Sequence, residues 1–526
     1  MAPDLQAAAG KVVSVNPATG EILGEFACGS ADEVRAALAR ARRAQPAWFE
    51  LGCRRRTALL RNFQRLLAQR KTDVARLITR ETGKPWVEAL TTELAVVLDA
   101  ARFYIENACR LLRDEPLAHG NVAMKQKVGR ILREPCGVVA IVSPWNYPFS
   151  IPATQALAAL VAGNAVILKP SEFTSLVALE LKDLLDRAGI PGDVFQAMPG
   201  DRATGAALVS SEIDKLIFTG SVSTGKAIAQ AAATRLLPVI LELGGKDPML
   251  VLEDADIEVA SSGAVWGAFV NAGQACLSVE RCYVQHNVCD RFVEACVRKA
   301  GKLRVGNGMD PETDVGPMIH ERQLHIVEQH VEDARERGAR LMTGGSRLAG
   351  LGANFYAPTV LADVNHAMRI MREETFGPVL PIMSFGDEEE GLALANDSEY
   401  GLSASIWTGD RARGERLARR IAAGSVLIND AVCSFGISEA PHGGIKASGI
   451  GRTHGRFGLQ EMVRLKYVAA ERLPRMKKMW WYGYNQSFAR WMEAFLDVQF
   501  ARSTKRRVEA ALQSLEYFLR AGSRRL

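Results

Sequence analysis

The chain has 526 residues, 48% of them hydrophobic and 24% charged, with 65 Lys plus Arg against 59 Asp plus Glu. This is the composition of a soluble globular protein and excludes disordered and collagen-like classes. The net charge of +6 is unevenly placed: Glu471 to Leu526 carry 12 Lys plus Arg against 5 Asp plus Glu, or +7, leaving 53 against 54, or −1, for residues 1–470. A neutral body excludes nucleic acid as its main ligand, because phosphate binding needs a concentrated cationic face.

The length predicts two or three domains, each with enough chain to bury a core. Nine cysteines, at positions 28, 53, 109, 136, 276, 282, 289, 296 and 433, form no CxxC pair and leave an odd one over, so a reducing, cytoplasmic compartment is expected. Met1 to Gly10 contains Asp4 and lacks a basic start followed by an apolar run, which does not read as a secretory signal. No apolar stretch reaches the roughly 18 residues of a spanning helix.

Asp32, Glu33 and Val34 open an Ala-, Leu- and Arg-rich region that predicts amphipathic helices, with breaks, to about Leu112. From Arg130 the pattern changes to short apolar runs separated by Gly, Pro and Asn, each followed by a helical stretch. That alternation predicts a parallel sheet covered by helices, with Val166 to Leu168, Leu216 to Phe218 and Val239 to Leu241 as buried strands. A second α/β unit is expected from Met249 to about Asp430. His320, His325 and His330 recur every five residues with no zinc-type spacing, which predicts an exposed helix and no metal site.

Four places carry candidate chemistry. Phe269 to Cys276 sets a cysteine behind a flexible Gly-Gln turn, where a thiol can face a domain rim, although a lone cysteine reads more often as a buried structural residue. Glu242 ends an apolar strand before two glycines; it can serve as a general base of tuned pKa or as a plain turn carboxylate. Asn146 stands between Trp145 and Tyr147 in a Pro-rich loop, able to donate to an oxyanion or simply to shape the turn before Pro148. Phe218 to Gly225 follows a strand and precedes the helical run Lys226 to Ala233, the context in which a phosphate rests on a helix N-terminus.

Together these elements resemble the aldehyde dehydrogenase superfamily, over about Val13 to Val468. The motifs are Pro144-Trp-Asn-Tyr-Pro148, Leu168-Lys-Pro-Ser-Glu172, Phe218-Thr-Gly-Ser221, Glu242-Leu-Gly-Gly-Lys246, Gly273-Gln-Ala-Cys276, Glu373 to Pro378 and Gly443 to Gly449. The resemblance implies a doubly wound Rossmann-like cofactor domain (1–124 and 143–247), an α/β catalytic domain (248–462) and a small β oligomerisation element (125–142 with 463–470). It also implies a homodimer or homotetramer. A tail of residues 471–526 lies outside it.

The implied chemistry is oxidation of an aldehyde to an acid, with Cys276 as nucleophile, Asn146 as oxyanion donor and Glu242 as the base that activates water. For NAD the resemblance implies Lys169 and Glu172 at the adenosine ribose and Ser221 at the pyrophosphate. Glu374 and Phe376 fall at the nicotinamide ribose, with Trp145, Gly220, Gly225 and Leu243 completing the cofactor set. Glu172 repels a 2′-phosphate and favours NAD, but Lys169 beside it keeps NADP open. No resident metal is implied.

The chain departs from the family in two places. Thr453 and His454 follow Arg452 where many relatives have a glutamate, leaving Glu242 as the base, and Pro441-His-Gly-Gly444 stands where relatives often read Pro-Phe-Gly-Gly. His442 can tune a channel or subunit contact, or merely satisfy a loop.

In the tail, Phe488, Trp491, Met492, Phe495 and Gln499 fall at helical spacing, and Val508, Leu512, Leu515 and Leu519 form a second such face beside Arg506 and Arg507. Such helices lie on an anionic membrane surface or pack on protein. The expected substrate is a medium- to long-chain or aromatic aldehyde. The alternatives are a semialdehyde dehydrogenase, a CoA-acylating aldehyde dehydrogenase and a catalytically inactive membrane-tethered scaffold.

Overall fold

A computed structural model describes residues 7–8, 10–475, 478 and 480–522. Residues 1–6, Met479 and the side chain of Leu519 lie outside what it describes. The chain divides into two units: residues 1–114 with 132–466, and residues 115–131 with 467–526.

The first unit contains two sheets. The six-stranded sheet runs, in spatial order, Gly449–Ile450, Val239–Glu242, Lys215–Thr219, Val138–Val142, Ala165–Lys169 and Phe195–Ala197, all parallel except the antiparallel first pair. Its strands are buried on both faces because side chains alternate across the pleat. Val139, Ile141, Val166 and Leu168 join one core, while Val138, Ala140, Ala165 and Ile167 join the other. The chain order reverses between Val138–Val142 and Lys215–Thr219, the switch point outside which doubly wound sheets bind ligands. All three strands expected from sequence form here.

The seven-stranded sheet places Asp247–Val251 between Val279–Gln285 and Ser403–Trp407, and its pairings are parallel except at the edge strand Arg340–Thr343. The N-terminal helices form as expected. The first, Ala31–Glu50, starts with a capping box in which Ser30 and Glu33 satisfy each other's backbone.

Two expectations need correction. Cys53 and Cys109 are joined in a disulfide (Cα–Cα 5.6 Å), because the helices Cys53–Gln69 and Ala95–Leu111 pack together and bring two distant positions side by side. Two of the three histidines, His325 and His330, lie on the helix Glu321–Glu336, but only His325 is exposed: His320 precedes the helix and caps its start, and His330 is buried beside Thr375. Among the described residues no group of three or more His, Cys, Asp or Glu could hold a metal ion.

The second unit holds most of a three-stranded sheet in which Lys127–Pro135 lies between Glu115–Leu117 and Val463–Glu471, whereas Val138–Val142 of the expected 125–142 element joins the six-stranded sheet. It also holds a helical hairpin, Gln486–Phe500 and Thr504–Gly522. The aromatic face of the first helix turns inward: Trp491 stacks on Phe495 and on Tyr517 of the second helix, at 5.3 and 5.5 Å between ring centroids. The second helix leaves Val508, Leu512 and Leu515 each more than half exposed, and the first leaves Leu496 and Phe500 in water near its end. No helix among the described residues is long and apolar enough to cross a membrane.

Candidate active site

The loops that follow the switch-point strands carry the candidate residues. After Val138–Val142 the chain reaches Trp145 and Asn146; after Lys215–Thr219 it reaches Gly220 and Ser221; Glu242 ends Val239–Glu242 itself. Cys276 lies between the helix Ile257–Phe269 and the strand Val279–Gln285. A Cβ on Gly245 would collide with the Cys276 carbonyl, so the Glu242-Leu-Gly-Gly loop and the cysteine loop touch through backbone.

The cysteine turn is clamped rather than flexible. Asn271, Ala272 and Gly273 all have left-handed backbone (φ 53°, 54° and 72°), which for the two non-glycine residues stores about 1–3 kcal/mol each. The clamp is a set of buried hydrogen bonds: Asn271 N–H donates to Glu88 Oε2 (2.8 Å), Gln274 Nε2 to the Asn271 carbonyl (3.0 Å) and Ile319 N–H to Gln274 Oε1 (2.9 Å). A Cβ on Gly273 would strike the Gly377 carbonyl, so glycine is required by space as well as by φ.

Asn146 is buried, and its Nδ2 donates to the Gln274 carbonyl at 3.1 Å, two residues from the thiol. Its own carbonyl accepts from Lys84 Nζ (2.8 Å) and Asn271 Nδ2 (3.0 Å). Lys84 is fully buried, pairs with Glu93 Oε1 at 2.7 Å and lies 3.9 Å from the centre of the Tyr147 ring. Glu93 sits in a π-helical turn, Ala89–Leu94, and its other oxygen accepts from the N–H groups of Phe149 and Ser150 (3.1 and 2.7 Å). One buried ion pair therefore fixes both sides of the asparagine loop. Burial holds the Lys84 ammonium below its usual range, with Glu93 opposing.

Glu242 is buried and its pKa is raised to about 8, chiefly by loss of water. Burial, with the nearby Asp247, Glu374 and Glu242 carboxyls, likewise pushes the Cys276 thiol up. A second buried pair, Lys246 Nζ to Glu280 Oε2 at 2.5 Å, supports the Glu373–Pro378 loop, because Glu280 also accepts from the N–H groups of Thr375 and Phe376 (2.9 and 2.8 Å).

The cofactor candidates fit a dinucleotide. Ser221 caps the helix Val222–Ala233, leaving its N-terminal N–H groups at the switch point. Gly225 is the cradle position, where a Cβ would collide with the Leu243 side chain. Gly220 N–H donates to the Glu242 carbonyl (3.0 Å), which ties the Gly220-Ser221 turn to the end of the Val239–Glu242 strand. Lys169, which ends the strand Ala165–Lys169, has its Nζ 3.7 Å from Glu172 Oε2. The Trp145 and Phe376 rings meet edge to face at 5.4 Å, and Glu374 Oε1 accepts from Gly245 N–H at 3.0 Å.

The sequence profile of the Aldehyde dehydrogenase family matches residues 5–468. The chain is 41% identical over 516 residues to the 4,4'-diapolycopene aldehyde oxidase of Methylomonas sp, covering 96% of this chain and 95% of that protein. It is 39% identical over 467 residues to the NADP(+) succinate-semialdehyde dehydrogenase GabD of Escherichia coli (strain K12), covering 88% and 95%. Among solved structures, the NAD+ complex of the aldehyde dehydrogenase from Bacillus cereus superposes with a TM-score of 0.84 at 34% identity, covering 88% of this chain and 93% of that one. With its two sheets, its Gly-rich turn at the switch point and its cysteine loop, the chain belongs to the aldehyde dehydrogenase family.

Proposed function

We propose that the protein oxidises an apolar aldehyde to its carboxylic acid with NAD or NADP, through a covalent intermediate on Cys276. The observation that carries this is the convergence of Cys276, Glu242 and the Asn146 loop, each clamped by buried groups, beside a dinucleotide cradle. The Cys276 sulfur bonds to the aldehyde carbon as its proton passes to water; the carbonyl oxygen becomes an oxyanion facing Asn146 Nδ2 and the Cys276 N–H. A bound nicotinamide dinucleotide supplies the acceptor for the hydride, two electrons and one proton, that leaves this carbon. Glu242 then takes a proton from water, the oxygen adds to the thioester, the C–S bond breaks and Cys276 departs as thiolate.

Lys169 and Glu172 would hold the adenosine ribose, Ser221 with Gly220, Gly225 and Leu243 the pyrophosphate, and Trp145, Glu374 and Phe376 the nicotinamide end. Glu172 favours NAD, and its pairing with Lys169 leaves room for NADP.

An apolar aldehyde is supported by the hydrophobic cluster of Tyr147, Ile151, Val270 and Ala275, with Val432 and Phe435 packed on it, which adjoins Asn146 and Cys276 in the chain. The loop from Asp430 to Pro441 offers no arginine for a second carboxylate. The 96% coverage of the Methylomonas relative must take in most of the 58 residues after 468, which the 88% coverage of GabD does not require. A semialdehyde remains the second reading, since GabD is named for one at 39% identity.

The exposed Val508, Leu512 and Leu515 face, with the basic Arg502, Lys505, Arg506 and Arg507 at its start, supports docking of a homo-oligomer on an anionic membrane surface.

Reduction of NAD and NADP by aldehydes of two to sixteen carbons, benzaldehyde and succinate semialdehyde, without CoA, tests the reaction. Acid formation that requires CoA would overturn it, and a preference for succinate semialdehyde would replace the apolar substrate by the second reading. Deleting residues after Arg475 should abolish sedimentation with phosphatidylserine vesicles, and unchanged sedimentation would refute docking. Light scattering should give a dimer or tetramer.

A further inference from the structure

Glu242 presents two oxygens to groups that the family resemblance does not supply. Oε1 accepts from Thr453 Oγ1 at 3.3 Å, and the threonine oxygen in turn faces His454 Nδ1 at 3.1 Å. Oε2 is buried with no hydrogen-bond partner among the described residues, yet His442 Nε2 lies 3.6 Å from it. We propose that His442 and Thr453 are positioning residues that hold the two oxygens of Glu242 for hydrolysis of the Cys276 thioester, with His454 orienting the threonine hydroxyl. This rests on Glu242 being the base.

The backbone brings these groups to Glu242 as one assembly. Gly449–Ile450 pairs antiparallel with Leu241 and Glu242, and the segments that flank it are bridged by reciprocal His442–Thr453 hydrogen bonds of 2.8 Å. Phe435 limits rotation of both imidazoles, standing at 90° to His442 (5.0 Å) and 4.5 Å from His454.

The tautomers follow from counting donors. A threonine hydroxyl that donates to a carboxylate must accept from its other neighbour, which puts the His454 proton on Nδ1. His454 Nε2 and His442 Nδ1 are buried without partners, so the one N–H of neutral His442 belongs on Nε2, facing Glu242. At 3.6 Å that contact is longer than a formed hydrogen bond, and catalytic contacts commonly tighten only with substrate bound.

Burial keeps both imidazoles neutral, His442 lowered to about 3 and His454 to about 4, so each donates without carrying charge through the working pH range. The titratable and charged groups that face Glu242 are His442, His454 through Thr453, Arg452 and the Cys276 thiol. A neutral donor on each oxygen favours the carboxylate that must receive the proton from water.

The test is the rate of thioester breakdown from about pH 6 to 10, measured in single turnover alongside the burst of reduced cofactor. His442→Phe should move the rising limb to higher pH by about one unit, slowing breakdown about tenfold near neutrality with the burst unchanged. His442→Gln, which keeps a donor, should recover most of the loss. A wild-type limb in His442→Phe, or equal slowing by Phe and Gln, would overturn the proposal. If His442→Phe does not fold, Thr453→Val against Thr453→Ser reads the same quantity with the same two outcomes. Glu242→Gln separates the two levels: breakdown that persists in it refutes Glu242 as base, whereas a trapped thioester there beside an unmoved His442→Phe limb refutes only the role of His442.

Discussion

Replacing Lys84 by Met tests whether a group outside the seven sequence motifs sets the geometry of the Asn146 loop. The substitution removes the ammonium that pairs with Glu93 at 2.7 Å and donates to the Asn146 carbonyl at 2.8 Å, in a site where both ionic side chains are fully buried. Breaking a buried pair by removing one partner costs about 3–5 kcal/mol. Glu93 keeps its donors from Phe149 and Ser150, which places the loss near the lower end, about 3 kcal/mol, or roughly 3 °C in melting temperature for a chain of this length. The Asn146 carbonyl keeps only Asn271 Nδ2, so the loop shifts and the burst of reduced cofactor slows, by up to about a hundredfold for a displacement near 1 Å. Calorimetry and stopped-flow fluorescence measure the two effects. Adding Glu93→Gln removes the uncompensated charge and should recover most of the stability but not the burst. A Lys84→Met enzyme with wild-type melting temperature and burst rate would refute the reasoning.

Gly273→Ala meets both a backbone carbonyl and a φ of 72°, so it should cost well over about 1 kcal/mol and slow Cys276 alkylation by iodoacetamide, read by melting and by mass spectrometry. Cys276→Ala should abolish reduced-cofactor formation with every aldehyde. Glu172→Gln should raise the NADP to NAD ratio of kcat/KM about tenfold, the effect of relieving about 1.4 kcal/mol of charge repulsion. The pH dependence of stability has a defined sign: His442 and His454 titrate at about 3 and 4 when folded, against 6.5 as the ordinary value. Between those limits the unfolded chain binds the extra protons, so their contribution is intact above pH 6.5 and is lost as the pH falls. Urea midpoints of His442→Phe should therefore decline less steeply than wild type over that window.

Much of this was legible in the sequence. The strands around Val166, Leu216 and Val239 show as short apolar runs because both sheet faces are covered, and the turn at Gly220 and Ser221 shows because strand, glycine and helix follow in order. Less visible were the buried ion pairs. Lys84, Glu88 and Glu93 stand in a helical region where charges are commonplace, and only the fold shows that this stretch turns inward against the Asn146 loop. Glu280 was more readable: a carboxylate between Val279 and Arg281, in a strand buried throughout, has to meet a cation or a set of N–H groups, and it meets Lys246, Thr375 and Phe376. The Cys53–Cys109 bond was hidden because it depends on how two helices pack. The tail's helices were readable from their periodicity. Which face stays in water was not, since that follows from Trp491 stacking on Tyr517.

The short strand Gly449–Ile450 has a consequence for biosynthesis. It lies more than 200 residues downstream of Glu242, and it is the neighbour that closes the edge of the sheet beside that carboxylate. A nascent chain that has released residues only up to Val279 carries Cys276 and Glu242 but lacks Glu374, Phe376, the later strands of the seven-stranded sheet and the segment that lies against Glu242. The candidate site is therefore complete only once residues beyond Ile450 have emerged, near the end of synthesis.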